Sequence, residues 1–109
     1  MDSFSKEEIL RLLAAARARR ESDWLMILVA FLHGLRVSEV LALTPDNIVD
    51  GHLDVRRRKG SMRTKQPLFS HENPLLSVRD PLIAFAGKLR KASRLFPISR
   101  ATFWRRMQH

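Results

Sequence analysis

The segment DWLMILVAFLHGLRVSEVLAL, residues 23–43, contains two helical patterns separated by a glycine. The first pattern, from about Asp23 to His33, is apolar on every side, which predicts a helix buried at the centre of a helical layer. Gly34 predicts the end of this helix, because glycine readily adopts the left-handed conformation of a C-terminal cap. A short third helix is expected from Val37 or Ser38 to Leu43. The flanking parts of the chain must therefore cover the buried helix.

The residues before this segment predict a helix with a well-defined start. Ser5 and Glu8 have the spacing of a capping box, in which each side chain satisfies the other residue's backbone amide. Apolar residues then recur with helical spacing, so we expect a helix from about Lys6 to Ala18.

The residues after the segment change period and then return to helical spacing. Leu53 and Val55 alternate with polar residues, which predicts a strand, and 63–69 is expected to be the returning strand of a β-hairpin. Helices are predicted from about Pro81 to Ala92 and after Ser99. Trp24 and Trp104 are expected in the core. The expected fold class is α+β, mainly helical with a small antiparallel sheet.

The charge of the chain is strongly one-sided. The 109 residues carry a net charge of +9, but residues 1–55 sum to −3 and residues 56–109 to +12. A basic surface concentrated in this way is typical of a protein that binds a polyanion, above all nucleic acid. The absence of cysteine excludes a disulfide scaffold and thiolate metal sites, and the four scattered histidines predict no metal or other cofactor.

Arg36 is the first candidate binding residue. A cation at the start of a helix is locally unfavourable, but the conflict disappears if an anion binds between the guanidinium and the helix amides. Glu39, three residues further, is expected to hold the guanidinium in place. The alternative is an exposed surface ion pair between Arg36 and Glu39.

The predicted hairpin contains the second group of candidates. Six cations occur within ten residues, and they suit contacts to several phosphates. The alternative is a solvated edge strand that its cations protect from aggregation. The predicted DNA-binding residues are Arg56, Arg57, Arg58, Arg63 and Lys65, with Lys59 at the turn.

These two groups, in this order, resemble the catalytic domain of the tyrosine recombinases, or phage integrases. Residues 23–43 look like the family's first-arginine box, residues 58–68 like its hairpin with the lysine turn, and residues 98–106 like a helix that precedes its second box. By resemblance, Arg36 is a catalytic phosphate-clamping arginine, Lys59 the catalytic lysine that assists the 5′-oxygen leaving group, and Glu39 the acidic residue that supports the arginine.

The resemblance also implies what these 109 residues lack. The family cleaves DNA with a tyrosine nucleophile and a His-x-x-Arg box, whereas this chain contains no tyrosine. We therefore expect a single partial catalytic domain over residues 1–109, with a helical part at about 5–43, a basic hairpin at 48–69 and C-terminal helices at 78–107. It should be inactive alone.

The expected partner is double-stranded DNA, with other recombinase protomers as further partners. No membrane contact is expected, and the expected location is the cytoplasm, since the longest apolar run has only nine residues. Two alternatives stay open. One is a small non-enzymatic DNA-binding protein of the helix-turn-helix type, with residues 33–35 as the turn. The other is a structural RNA-binding protein that uses only the basic half.

Overall fold

The computed structural model describes residues 5–56 and 63–108. The described helices are α1 (Lys6–Arg19), α2 (Glu21–His33), α3 (Val37–Leu41), α4 (Arg79–Gly87) and α5 (Arg100–Arg106). The described strands are β1 (Ile48–Val49), β2 (His52–Arg56) and β3 (Arg63–Pro67), and single 3-10 turns occur at Pro45–Asn47 and Pro74–Leu76. The fold is thus α+β and mainly helical, as the sequence predicts.

The start of α1 is the predicted capping box. The Glu8 amide donates to Ser5 Oγ at 3.2 Å, and the Ser5 amide donates to Glu8 Oε1 at 3.0 Å. One face of the helix, with Leu12 and Leu13 fully buried, packs against the rest of the core. The apolar spacing of α1 therefore orients it on α2, and its capping box determines where it begins.

Helix α2 is the buried centre of the molecule, with nine of its thirteen residues in the interior. The predicted end at His33, with Gly34 as the left-handed cap, is confirmed, while the start and the burial of the last turn differ from the prediction. The helix begins at Glu21, with Arg20 as its cap, and the Asp23 carboxylate binds Arg106. In the last turn, Phe31 and Leu32 are about 40% exposed, so α2 is not covered on every side there.

The two tryptophans differ in their environment. Trp24 is fully buried, as predicted, and its Nε1 donates to the Leu75 carbonyl at 2.9 Å, which attaches α2 to the Pro74–Leu76 turn. Trp104 is 51% exposed, so the prediction of a core position is wrong. The neighbouring Phe103 occupies the core instead, and the Trp104 ring meets it edge-on with centroids 5.3 Å apart.

The three strands form one antiparallel sheet in the order β1-β2-β3. In the β2–β3 register Leu53 lies opposite Gln66, Asp54 opposite Lys65, and Arg56 opposite Arg63. Leu53 and Val55 are buried, so alternate residues of β2 close the core from the side of the sheet. The strand pairing of the predicted hairpin is therefore observed, while its predicted turn at 59–61 lies outside the described residues.

The segment after the sheet departs most from expectation. Helix α4 spans Arg79–Gly87 rather than 81–92, with Val78 as its cap. It stops early because the chain turns back to bury Leu95 and Phe96. The Leu95 amide donates to the Leu43 carbonyl at 2.8 Å, and the Phe96 ring stacks on Phe85 at 5.9 Å. Burial of two large apolar residues thus outweighs the helical pattern of the sequence.

The glycine after α2 allows a clean test of backbone geometry. Gly34 has φ +61°, and a Cβ there would meet nothing within 4 Å, so only its conformation is unfavourable for other residues. We expect Gly34→Ala to lower the free energy of unfolding by about 1 kcal/mol. Chemical denaturation measures this change.

The matched control is Gly87→Ala, which also meets nothing within 4 Å but has no positive φ. Its free energy of unfolding should stay unchanged or rise by up to about 1 kcal/mol. Equal losses in both variants would contradict a role for the left-handed conformation.

Candidate nucleic-acid interface

Arg36 is placed by the way α2 ends. Gly34 caps α2 in the left-handed conformation, and Arg36 follows as the extended N-cap residue of α3, with its side chain exposed. Because α3 has only five residues, the two ends of its dipole are about 7 Å apart and largely cancel. The expected conflict between Arg36 and a helix dipole is therefore weak, and exposure is what makes the guanidinium available.

Glu39 supports Arg36 through the main chain. Its carboxylate, in a residue only 6% exposed, accepts a hydrogen bond from the Arg36 backbone N–H at 2.8 Å. The Arg36 carbonyl in turn accepts from the Val40 amide at 2.9 Å. Both backbone polar groups of Arg36 are thus held, so the direction in which its side chain leaves the fold is determined.

His33 attaches the C-terminal end of α2 to the sheet. Its Nδ1 lies 2.9 Å from Gln66 Oε1, a distance at which the ring N–H donates to the amide oxygen. Burial lowers the pKa of His33, and the hydrogen bond to Gln66 raises it by less. Within residues 5–56 and 63–108 its buried Nε2 has no hydrogen-bond partner, as expected for a neutral ring.

The His33–Gln66 contact joins the C-terminal end of α2 to β3, the strand that also contains the predicted DNA-binding residue Lys65. Arg36 is three residues from His33, and Lys65 is next to Gln66 in β3. Lys65 is exposed, and it lies opposite Asp54 in the strand register. Arg56 and Arg63 form the last backbone pair that the structure describes in this register. Arg57, Arg58 and Lys59 lie outside the described residues.

His33 and Gln66 are the positioning residues that the sequence does not reveal. A histidine at a helix end and a glutamine in a strand carry no motif, and they are 33 residues apart. To find the pair from the sequence, one would have to know which residue of β3 lies beside the end of α2. Their hydrogen bond attaches the end of α2 to the sheet.

Residues 5–56 and 63–108 contain neither a candidate metal centre nor a membrane-spanning helix. No group of three or more histidine, aspartate or glutamate residues there is arranged to hold a metal ion. No helix in that part of the chain has the length and apolar character needed to cross a membrane.

Residues 5–56 and 63–108 thus form a helix-rich α+β fold in which an exposed arginine follows a buried helix and an antiparallel sheet is attached to the end of that helix. The sequence profile of the phage integrase family matches residues 2–109, and the chain belongs to this family. No curated protein sequence matches the chain.

Comparison with solved structures supports the same fold. The chain is similar to lambda integrase in the crystal structure of a tetramer bound to a Holliday junction, with a TM-score of 0.70 and 23% sequence identity. The match covers 96% of this chain and 34% of the lambda integrase chain. This chain therefore spans about a third of the length of that relative.

The buried His33 predicts a pH dependence of stability. Because burial holds its pKa below the ordinary value of 6.5, the unfolded chain binds a proton first as the pH falls. The free energy of unfolding should therefore decrease as the pH falls below about 6.5 and level off once the pH is below the folded pKa. Urea denaturation between pH 5 and pH 8 measures this.

His33→Gln removes the titrating group and should flatten the curve over this range. A His33→Gln variant with the wild-type pH dependence would contradict the assignment.

Proposed function

We propose that this chain binds the phosphate backbone of double-stranded DNA through Arg36 and the cations of the β2–β3 hairpin. The observation that carries the proposal is the exposed Arg36, whose backbone N–H is held by Glu39. The hydrogen bond between His33 and Gln66 attaches the end of α2, which precedes Arg36, to β3. An arginine fork on a rigid support binds a phosphate at low entropic cost. The charge of +12 on residues 56–109 supports a polyanionic ligand.

In the intact recombinase, this face would supply part of the site that cleaves and rejoins DNA strands. Phosphoryl transfer needs positioning and charge stabilisation more than covalent machinery. Arg36 would neutralise the non-bridging oxygens of one phosphodiester, and Lys59 would assist the departure of the 5′-oxygen. Glu39 acts on Arg36 and is a positioning residue.

The chain itself would bind DNA without cutting it. The nucleophile of the family is a tyrosine, and none of the 109 residues is a tyrosine. Strand cleavage in the proposed reaction therefore needs a nucleophile from outside these residues. Other protomers are proposed partners, because the lambda integrase relative is a tetramer on a Holliday junction.

The hairpin cations would give this binding its salt dependence. Arg56, Arg57, Arg58, Arg63 and Lys65 are the proposed backbone contacts beside Arg36. Four or five such contacts predict a slope of roughly −4 for the logarithm of affinity against the logarithm of salt concentration.

The helix-turn-helix alternative has less support. A recognition helix must present several residues along a major groove. Helix α3 has five residues, of which Glu39, Val40 and Leu41 are buried. Its length and burial leave too little exposed surface for that role.

Replacement of Arg36 tests the proposal. Arg36→Ala should weaken duplex binding about tenfold, the typical effect of losing a charge-assisted hydrogen bond to phosphate. Arg36→Ala combined with Lys59→Ala should weaken it further and make the salt slope about two units less steep. Fluorescence anisotropy with a labelled duplex, between 50 and 200 mM salt, measures both quantities.

The matched control is Arg11→Ala, which removes one exposed arginine from α1. It should change the affinity less than twofold. If the Arg36→Ala/Lys59→Ala variant binds duplex as tightly as the wild type, the proposed interface is wrong.

A further inference from the structure

The other end of α2 carries an unexpected group of arginines. Arg19 and Arg20 lie where α1 passes into α2, and Arg105 and Arg106 lie in the last turn of α5. Helix α2 has thirteen residues and is therefore about 20 Å long, which separates this group from Arg36 at the other end. These four residues, called the arginine cluster below, have no part in the function proposed above.

The arginine cluster is organised around one buried acid. Asp23 is 1% exposed, and its Oδ1 accepts from Arg106 Nη1 at 3.0 Å. Its Oδ2 lies 3.4 Å from Arg20 Nε and 3.9 Å from Arg19 Nε. One carboxylate thus faces three guanidinium groups from inside the fold.

Further hydrogen bonds hold the arginines in place. Arg19 donates to the Arg106 carbonyl at 2.6 Å and to the Gln108 carbonyl at 3.3 Å. Arg105 Nη2 donates to Thr102 Oγ1 at 2.8 Å. Because these bonds already hold Arg19 and Arg105, the two side chains lose little further entropy when a ligand binds.

The arginine cluster surrounds an open cavity of about 300 Å³. The lining residues are the four arginines together with Asp23 and Thr102. The volume is about ten times the share of one water molecule in the liquid, which is enough for a phosphate or pyrophosphate with some water. The arginines therefore line a shallow, open recess.

The charge of the recess favours an anion. Four guanidinium groups and one carboxylate give an excess of three positive charges, and the carboxylate is buried beneath them. Like charges held this closely repel one another unless a counter-ion binds. Guanidinium forks match the oxygens of phosphate, and an excess of three charges favours a multivalent anion over a single carboxylate.

We propose that the arginine cluster is a second phosphate-binding site, separate from the Arg36 face. The phosphate group comes either from a small free anion or from a DNA backbone that also contacts this end of α2. Arg20 and Arg105 face the ligand. Arg19 and Arg106, anchored to backbone carbonyls and to Asp23, shape the recess from below.

Titration with pyrophosphate tests the site without DNA. Amide chemical shifts of the isotopically labelled chain are followed by NMR at constant ionic strength, with sodium chloride replaced stepwise by sodium pyrophosphate. We expect saturable shifts at the end of α1 and in α5. Arg20→Gln/Arg105→Gln should raise the dissociation constant at least about tenfold, since two charge-assisted contacts are lost.

The matched control is Arg11→Gln/Arg90→Gln, which removes the same charge from two exposed arginines outside the cluster. Its dissociation constant should stay within twofold of the wild type. Arg20→Lys/Arg105→Lys keeps the charge but loses the forks, and it should bind with intermediate affinity. The absence of saturable shifts, or equal weakening in the two glutamine variants, would overturn the proposal.

A second arm identifies the source of the phosphate. If the site takes a DNA phosphate, a saturating duplex blocks the pyrophosphate shifts, and Arg20→Gln/Arg105→Gln lowers duplex affinity more than the control. If it takes a free anion, the shifts persist on the DNA-bound chain. Shifts at the end of α1 and in α5 report this site separately from Arg36, so failure of the DNA interface and failure of this site give different results.

Discussion

Burial of α2 on almost every side is the constraint on which the other features of this structure depend. Each large apolar side chain that it removes from water contributes about 2 kcal/mol, but only if α1, the sheet and α5 cover it. The sheet closes the core through Leu53 and Val55, and α5 does so through Phe103. Burial of one helix therefore determines where the other elements must lie.

This burial also determines where the polar groups of α2 are found. Inside the core an unpaired charge or hydrogen-bonding group is costly, so such groups occur at the two ends of the helix with partners from other elements. At the N-terminal end Asp23 binds Arg106 of α5. At the C-terminal end His33 binds Gln66 of β3. The same bonds that satisfy α2 fasten it to the rest of the fold.

The two ends consequently present different chemistry. At one end Arg36 is exposed while its backbone is held by Glu39, which suits a single well-placed phosphate contact. At the other end three of the four clustered arginines face one buried acid, which leaves a strongly positive recess. The acidic character of residues 1–55 hides this second concentration of charge, because Arg19 and Arg20 come from that half and Arg105 and Arg106 from the basic half.

Local patterns of the sequence determined much of the fold. The Ser5–Glu8 capping box, the apolar run of α2 and the glycine at its end each act within a few residues, so their effect is visible without the rest of the chain. The same holds for the alternation of β2 and for the exposed Arg36 after Gly34. The sequence alone thereby indicated the fold class.

Only the tertiary structure decided the features that join distant residues. Helix α4 ends early because Leu95 and Phe96 fold back into the core, Trp104 remains exposed because Phe103 takes the buried position, and Asp23 binds Arg106. The His33–Gln66 bond and the arginine cluster likewise link residues 33 to 89 positions apart. Such contacts form because packing a shared core brings distant segments together, and no local pattern specifies which segments will meet.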